Sequence, residues 1–88
     1  MKIRRILYST RFERAFVTMD KKDKELIVER ERIFRENCFD SRLKTHKLKG
    51  RLKNYWSFSI THSFRIMFEF LDDGVAVFID VGDLSIYK

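Results

Sequence analysis

Hydrophobic periodicity changes once along this chain, and that change constrains the fold more than any other feature. Before residue 38 the apolar residues recur at helical spacing, and after residue 54 they alternate. Phe12, Ala15, Phe16 and Met19 stand three or four apart, the spacing of one buried helical face. Thr10 with Glu13 three residues on reads as a capping box, so Thr10 is the expected N-cap. Asp20 is placed to cap a second helix over 21–37. There Leu26, Ile27, Ile33 and Phe34 form the apolar stripe, while Glu25, Glu29, Arg32 and Glu36 face water. So short a link between two amphipathic helices predicts a helical hairpin. Ahead of it, Ile3, Ile6, Leu7 and Tyr8 suggest a short first strand.

Residues 38–53 show no sustained period, and Gly50 breaks them near the end. Beyond them Trp56, Phe58 and Ile60 alternate with Tyr55, Ser57 and Ser59. Phe64, Ile66, Phe68 and Phe70 alternate with Arg65, Met67 and Glu69. Val75, Val77, Ile79 and Val81 alternate with Ala76, Phe78 and Asp80. These are three half-buried strands. Thr61-His62-Ser63 is short enough for one hairpin turn, and Asp72-Asp73-Gly74 has residues that tolerate positive φ for the next. The expectation is an α+β fold, β-α-α-β-β-β: an antiparallel sheet with the N-terminal helical hairpin packed on one face. If the large apolar sets cover the helices, then Ser57, Ser59, Arg65, Met67, Phe78 and Asp80 lie on the other face.

A chain of 88 residues has room for one core, so residues 1–88 are expected to form one domain. Nine phenylalanines and a hydrophobic content of 44% supply that core and argue against a disordered tail. No apolar run nears the roughly 18 residues of a membrane helix, so no membrane partner is expected. Met1 to Tyr8 has no signal-peptide core or cleavage site. Cys38 stands alone and so makes no internal disulfide, and His46 and His62 are the only histidines. The composition therefore suggests a reduced cytoplasmic protein with no metal and no cofactor.

Charge is informative through its position. Residues 9–37 carry eight basic and seven acidic side chains, and residues 54–88 carry two and five. Between 42 and 53 lie Arg42, Lys44, Lys47, Lys49, Arg51 and Lys53 with no acidic residue, a charge equal to the net +6 of the whole chain. Concentrated basic charge attracts a polyanion by releasing its counterions, which points to salt-sensitive nucleic-acid binding; a solvated basic loop is the plainer alternative. Arg65, centred on the sheet face away from the helices, can hold a phosphate with its planar fork. It can equally pair with Glu69 or Asp80 across the sheet.

The run Leu43-Lys-Thr-His-Lys-Leu-Lys-Gly50, then Tyr55-Trp-Ser-Phe-Ser-Ile60, Phe64-Arg-Ile-Met-Phe68 and Asp80-Val-Gly-Asp-Leu-Ser-Ile-Tyr87, resembles the second half of RelE/ParE toxins. These are the toxic partners of type II toxin–antitoxin pairs, and the element order extends the resemblance over essentially the whole chain. It implies one of two activities: mRNA interferase, as in RelE, YoeB and YafQ, or gyrase inhibition of the ParE kind. Metal-free RNA cleavage uses the ribose 2′-OH as nucleophile. It needs a group to take that proton, a group to stabilise the added negative charge, and a group to protonate the departing 5′ oxygen.

The resemblance places His46 at the histidine of the H-x-L-x-G segment, as base or acid. It places Arg65 at the strand arginine that holds the phosphate, and Tyr87 at the terminal aromatic that stacks on a base or orients a proton transfer. Lys44, Lys47, Lys49, Arg51 and Lys53 would grip the neighbouring RNA. The sequence departs at Leu84, where a histidine is expected three residues before Tyr87. Leucine cannot move a proton, and losing a general acid or base costs on the order of 100- to 10,000-fold in rate. Unless Asp83 or Tyr87 takes over, cleavage is weakened or silenced while binding survives.

The remaining chemistry-bearing residues read as structural. His62 is expected in a solvated turn, Trp56 and Phe58 in the core, Cys38 as a buried thiol and Asp83 as a loop or cap residue. Three functions fit these residues. The first is a ribosome-dependent endoribonuclease toxin acting on mRNA, attenuated by Leu84. The second is a ParE-like gyrase inhibitor, and the third a non-catalytic RNA-binding member of the fold. The implied partners are an antitoxin protein, the ribosome and mRNA.

Overall fold

The computed structural model describes residues 1–88. Strand β1 (Arg5–Tyr8) leads into helices α1 (Thr10–Val17) and α2 (Lys21–Glu36). Asp20 caps α2 as expected, its carboxylate accepting from the Asp23 amide at 2.9 Å. The cap of α1 is Ser9, one residue before the expected Thr10. The Ser9 hydroxyl accepts from the Phe12 amide at 3.0 Å and donates to the Ile79 carbonyl at 2.6 Å. One side chain thus caps the helix and ties it to the sheet, a double role open to the residue whose backbone is still extended.

The sheet continues with β2 (His46–Lys47), β3 (Trp56–Ser59), β4 (Arg65–Asp72) and β5 (Val75–Gly82), in the spatial order β1-β5-β4-β3-β2. The three long strands form the expected antiparallel meander, with Gly74 at φ +72° in the second turn. Two features differ from the sequence expectation. The sheet is mixed, because β1 pairs parallel with β5 (Arg5 opposite Val75, Tyr8 opposite Phe78). No local turn joins those strands; the direction of β1 is set by the long connection through the helices. The second difference is β2, which adds a fifth strand beyond β3, and two residues are too few to display alternation.

The helical hairpin packs on one face of the sheet. Phe34 of α2 and Phe58, Phe68 and Phe78 of three strands are all fully buried. The Phe34 ring stands 4.9 Å from Phe58, 4.9 Å from Phe68 and 5.3 Å from Phe78. The sequence alternation puts Phe78 on the opposite face, and its reversal has a clear cause. Met67 pairs with Asp80 but Phe68 pairs with Phe78, so Ile79 is an extra residue in β5. Such a bulge reverses the alternation on either side of it. Ala76, Phe78 and Val81 therefore join the core cluster, while Val75, Val77 and Ile79 do not. Asp80, beyond the bulge, stays on the second face with Met67.

Candidate functional site

The second face is built from cross-strand neighbours, which point to the same side of a sheet. His46 lies opposite Ser57, Ser57 opposite Met67, and Met67 opposite Asp80. One step along the strands, Ser59 lies opposite Arg65 and Arg65 opposite Gly82. This face is not open water: Ser57, Ser59, Met67 and Asp80 are all buried. The C-terminal 3-10 turn, Leu84–Tyr87, folds back across it. Its Ile86 sits so close to Gly82 that a Cβ there would lie 3.0 Å from Ile86 Cγ2. From this turn the Tyr87 hydroxyl hydrogen-bonds the Ser57 hydroxyl, and Arg51 Nη2 donates to the Tyr87 carbonyl at 3.3 Å.

Ser57 thus neighbours both residues, His46 across the strands and Tyr87 through its hydroxyl. It carried no signal in the sequence, because a serine alternating in a strand looks like any solvent-facing residue. His46 is exposed, with Nδ1 3.0 Å from the Lys44 carbonyl. A carbonyl only accepts, so Nδ1 carries the hydrogen and, in the neutral ring, Nε2 keeps its lone pair for a proton.

Arg65 stands one cross-strand pair away, with Nη2 donating to the His62 carbonyl at 3.0 Å. It forms no ion pair with Glu69 or Asp80. Asp80 is taken by Arg11 of α1, at 3.0 Å, and by the Val81 amide, at 2.8 Å. Arg65 thus presents a positive charge that no carboxylate offsets.

The basic segment is pinned rather than loose. Leu43 is fully buried, the Leu48 amide donates to the Tyr55 carbonyl at 3.0 Å, and 3-10 turns form at Ser41–Leu43 and Gly50–Leu52. From this frame Lys44, Lys47, Lys49, Arg51 and Lys53 all project to solvent. Arg42 differs from them, being paired twice with Asp40, at 3.0 and 2.9 Å. Hydrogen bonds from Arg42 hold the Asp40 carboxyl down at about 2.

Leu84 is exposed at the first position of the C-terminal turn. Asp83 is the N-cap of that turn, accepting from the Ser85 amide at 2.9 Å. Hydrogen bonding with Ser85 holds its carboxyl below the usual range, so it is an anion at neutral pH and has no proton to donate. That removes Asp83 as a substitute for a histidine at 84 and leaves Tyr87.

The residues read as structural lie where the sequence suggested. His62 is in the exposed turn and Cys38 is buried, with desolvation pushing its thiol pKa up. Phe58 and Trp56 pack in or against the core. No three His, Cys, Asp or Glu side chains cluster closely enough to hold a metal ion, and no helix is long and apolar enough to cross a membrane.

Known structures share this architecture over nearly the whole chain. A YoeB/ParE toxin from Agrobacterium tumefaciens superposes with a TM-score of 0.75 at 22% identity, covering 94% of this chain and 98% of that one. The chain has the fold of the RelE/YoeB-like toxins. An archaeal RelE–RelB complex from Pyrococcus horikoshii gives 0.73 at 14% identity, over 94% and 96% of the two chains. YafQ from E. coli gives 0.67 at 19% identity, over 93% and 94%. No protein-family model and no curated protein matches the sequence. On this fold, His46, Ser57 and Arg65 share one face of the sheet by register, and Tyr87 reaches that face through Ser57.

Proposed function

We propose that this chain is the toxin of a type II toxin–antitoxin pair that grips mRNA on the ribosome in the cytoplasm, with cleavage weakened by Leu84. The observation that carries the reading is Ser57. Its hydroxyl holds Tyr87, its cross-strand neighbour is His46, and an unpaired Arg65 lies one step along. The segment that carries His46 also exposes Lys44, Lys47, Lys49, Arg51 and Lys53, and Arg51 reaches the Tyr87 carbonyl.

In this reading His46 Nε2 takes the proton of a ribose 2′-OH. The resulting alkoxide attacks the adjacent phosphorus, the P–O5′ bond breaks to leave a 2′,3′-cyclic phosphate, and the departing 5′ oxygen takes its proton from a general acid or, without one, from water. Arg65 and the neighbouring cations offset the charge gathering on the phosphate. The leaving oxygen is the weak point. Leu84 has no proton to give, which leaves the Tyr87 hydroxyl as the nearest remaining donor on this face. Lys44, Lys47, Lys49, Arg51 and Lys53 hold the flanking backbone. An antitoxin is the expected protein partner, in keeping with the RelE–RelB neighbour being a complex.

The exposed, aprotic Leu84 also favours one second reading, a member of the fold that only binds, either to RNA or, ParE-like, to gyrase. Binding to 70S ribosomes across a range of salt tests the main reading. The expected outcome is a steep fall of affinity with salt. The slope of log K against log salt should shrink by about 0.7 for each phosphate-contacting cation changed to Gln among Lys47, Lys49, Arg51 and Lys53. Absent or salt-independent binding contradicts it and makes gyrase inhibition the next assay.

A further inference from the structure

Where β2 stops, the edge of β3 is left uncovered, and a cavity of about 190 Å³ opens at that edge of the sheet, with Arg30 of α2 reaching its rim. Its charged groups are all cationic: Arg30 from α2, Arg42 and Lys44 from the basic segment, and Arg65 from β4 stand with Ser59 and the start of the turn through His62. No carboxylate lines it. Arg42 is already neutralised by Asp40, which leaves Arg30, Lys44 and Arg65 as uncompensated charges.

A second, independent feature marks the same place. Three buried side-chain polar atoms in the protein have no hydrogen-bond partner: Arg30 Nε, Ser59 Oγ and Arg65 Nε. All three belong to residues lining this cavity. Ser59 is only 7% exposed, so water does not readily serve it. Buried polar atoms left unbonded are costly, and here all three belong to residues around one cationic cavity, where a small shift of the side chains on anion binding would give them an acceptor. Other atoms of the same arginines are already fixed. Arg30 Nη1 donates to the Arg42 carbonyl at 3.3 Å and Arg65 Nη2 to the His62 carbonyl at 3.0 Å, so both guanidinium groups are held in place. Two fixed forks and a hydroxyl around one cavity suit a tetrahedral oxyanion.

We propose that this pocket binds a backbone phosphate of the RNA strand, adjacent to the phosphate that reacts at His46. The proposal rests on the RNA-binding reading above and adds Arg30 and Ser59 to it. It also gives Arg65 a second phosphate to touch beside the reacting one, its guanidinium being fixed at the hairpin turn by the His62 carbonyl. Ser59 and Ser57 are two strand residues apart, about 7 Å. An RNA strand running across the second face thus meets the two centres in succession.

The test has two arms on the full chain. In the first, inorganic phosphate is titrated at constant ionic strength while the arginine Nε–Hε signals are followed by NMR. The Arg30 and Arg65 signals should shift saturably, and the Arg35 signal, paired with Glu31, should stay in place. Arg30→Gln and, as a smaller change that leaves α2 untouched, Ser59→Ala should each weaken phosphate about tenfold. In the second arm a short single-stranded RNA is bound across a range of salt. Arg30→Gln should lower the salt slope by about 0.7, the value for one lost phosphate contact.

No saturable shift with phosphate overturns the pocket, whatever RNA does. Saturable phosphate binding with an unchanged RNA slope shows a site for free phosphate and overturns its assignment to RNA. Failure of the chain to bind any RNA also overturns the assignment, and in that case the RNA-binding reading falls with it.

Discussion

The two faces of one sheet are built on opposite terms. Against the helices, four fully buried phenylalanines from α2, β3, β4 and β5 interlock, and nothing polar is stranded among them. On the other face the buried residues include Ser57, Ser59, Asp80 and Met67, with a four-residue turn bonded to Ser57, and one of those serines has no hydrogen-bond partner. Apolar burial of the first kind stabilises without direction; polar burial of the second kind costs stability unless something completes it. The helix face makes the molecule fold. The second face holds polar groups and charges in place at some cost, as the proposed RNA site requires.

The largest effect that would break this contrast lies in the core. Phe34→Ala should lower unfolding free energy by about 3–5 kcal/mol in urea, because one ring contacts three strands. Ser57→Ala should stay within about 1.5 kcal/mol, since it removes a single hydrogen bond on the second face. Equal losses would mean that both faces are core. Gly82→Ala forces a Cβ against Ile86 and should cost about 1–3 kcal/mol. Its distinguishing sign is faster hydrogen exchange at the Ile86 and Lys88 amides while the core strands keep their protection. Ser9→Ala should cost about 1 kcal/mol through loss of the α1 cap, read from the same urea curves, whereas Thr10→Ala should cost less.

The smallest effect is alkaline. Burial and then the hydrogen bond to Glu31 raise the Tyr8 pKa from 10.0 to about 12. Folding therefore favours the neutral phenol. Its contribution is complete below pH 10, shrinks as the unfolded phenol ionises first, and is lost by about pH 12. Thermal unfolding between pH 9 and 12 should show this decline, and Tyr8→Phe should flatten it.

Much of this was legible in the chain, and the exceptions share a cause. Asp20, the apolar stripe of Ile27, Ile33 and Phe34, and the meander turn at Gly74 are local patterns, and each is found in place. Phe78 changed faces because one extra residue at Ile79 inverts the alternation, and a bulge leaves no mark in a run of apolar residues. β1 pairs parallel with a strand some seventy residues away, a relation that no local window contains. At the candidate site, His46, Arg65, Tyr87 and Leu84 stood out through the resemblance. Ser57, Ser59 and Arg30 did not, since each gains its meaning only from neighbours distant in sequence.

The central claim is that the second face is built for phosphate chemistry and lacks one proton-transfer group, at position 84. Primer-extension mapping of mRNA cuts in a cell-free translation reaction, comparing this chain with Leu84→His, tests it most directly. The account predicts cuts at the ribosomal A site from the Leu84→His variant, with the unaltered chain slower by about 100- to 10,000-fold. Equal cutting by both would show that position 84 is not the missing group, and no cutting by either would contradict the interferase reading itself.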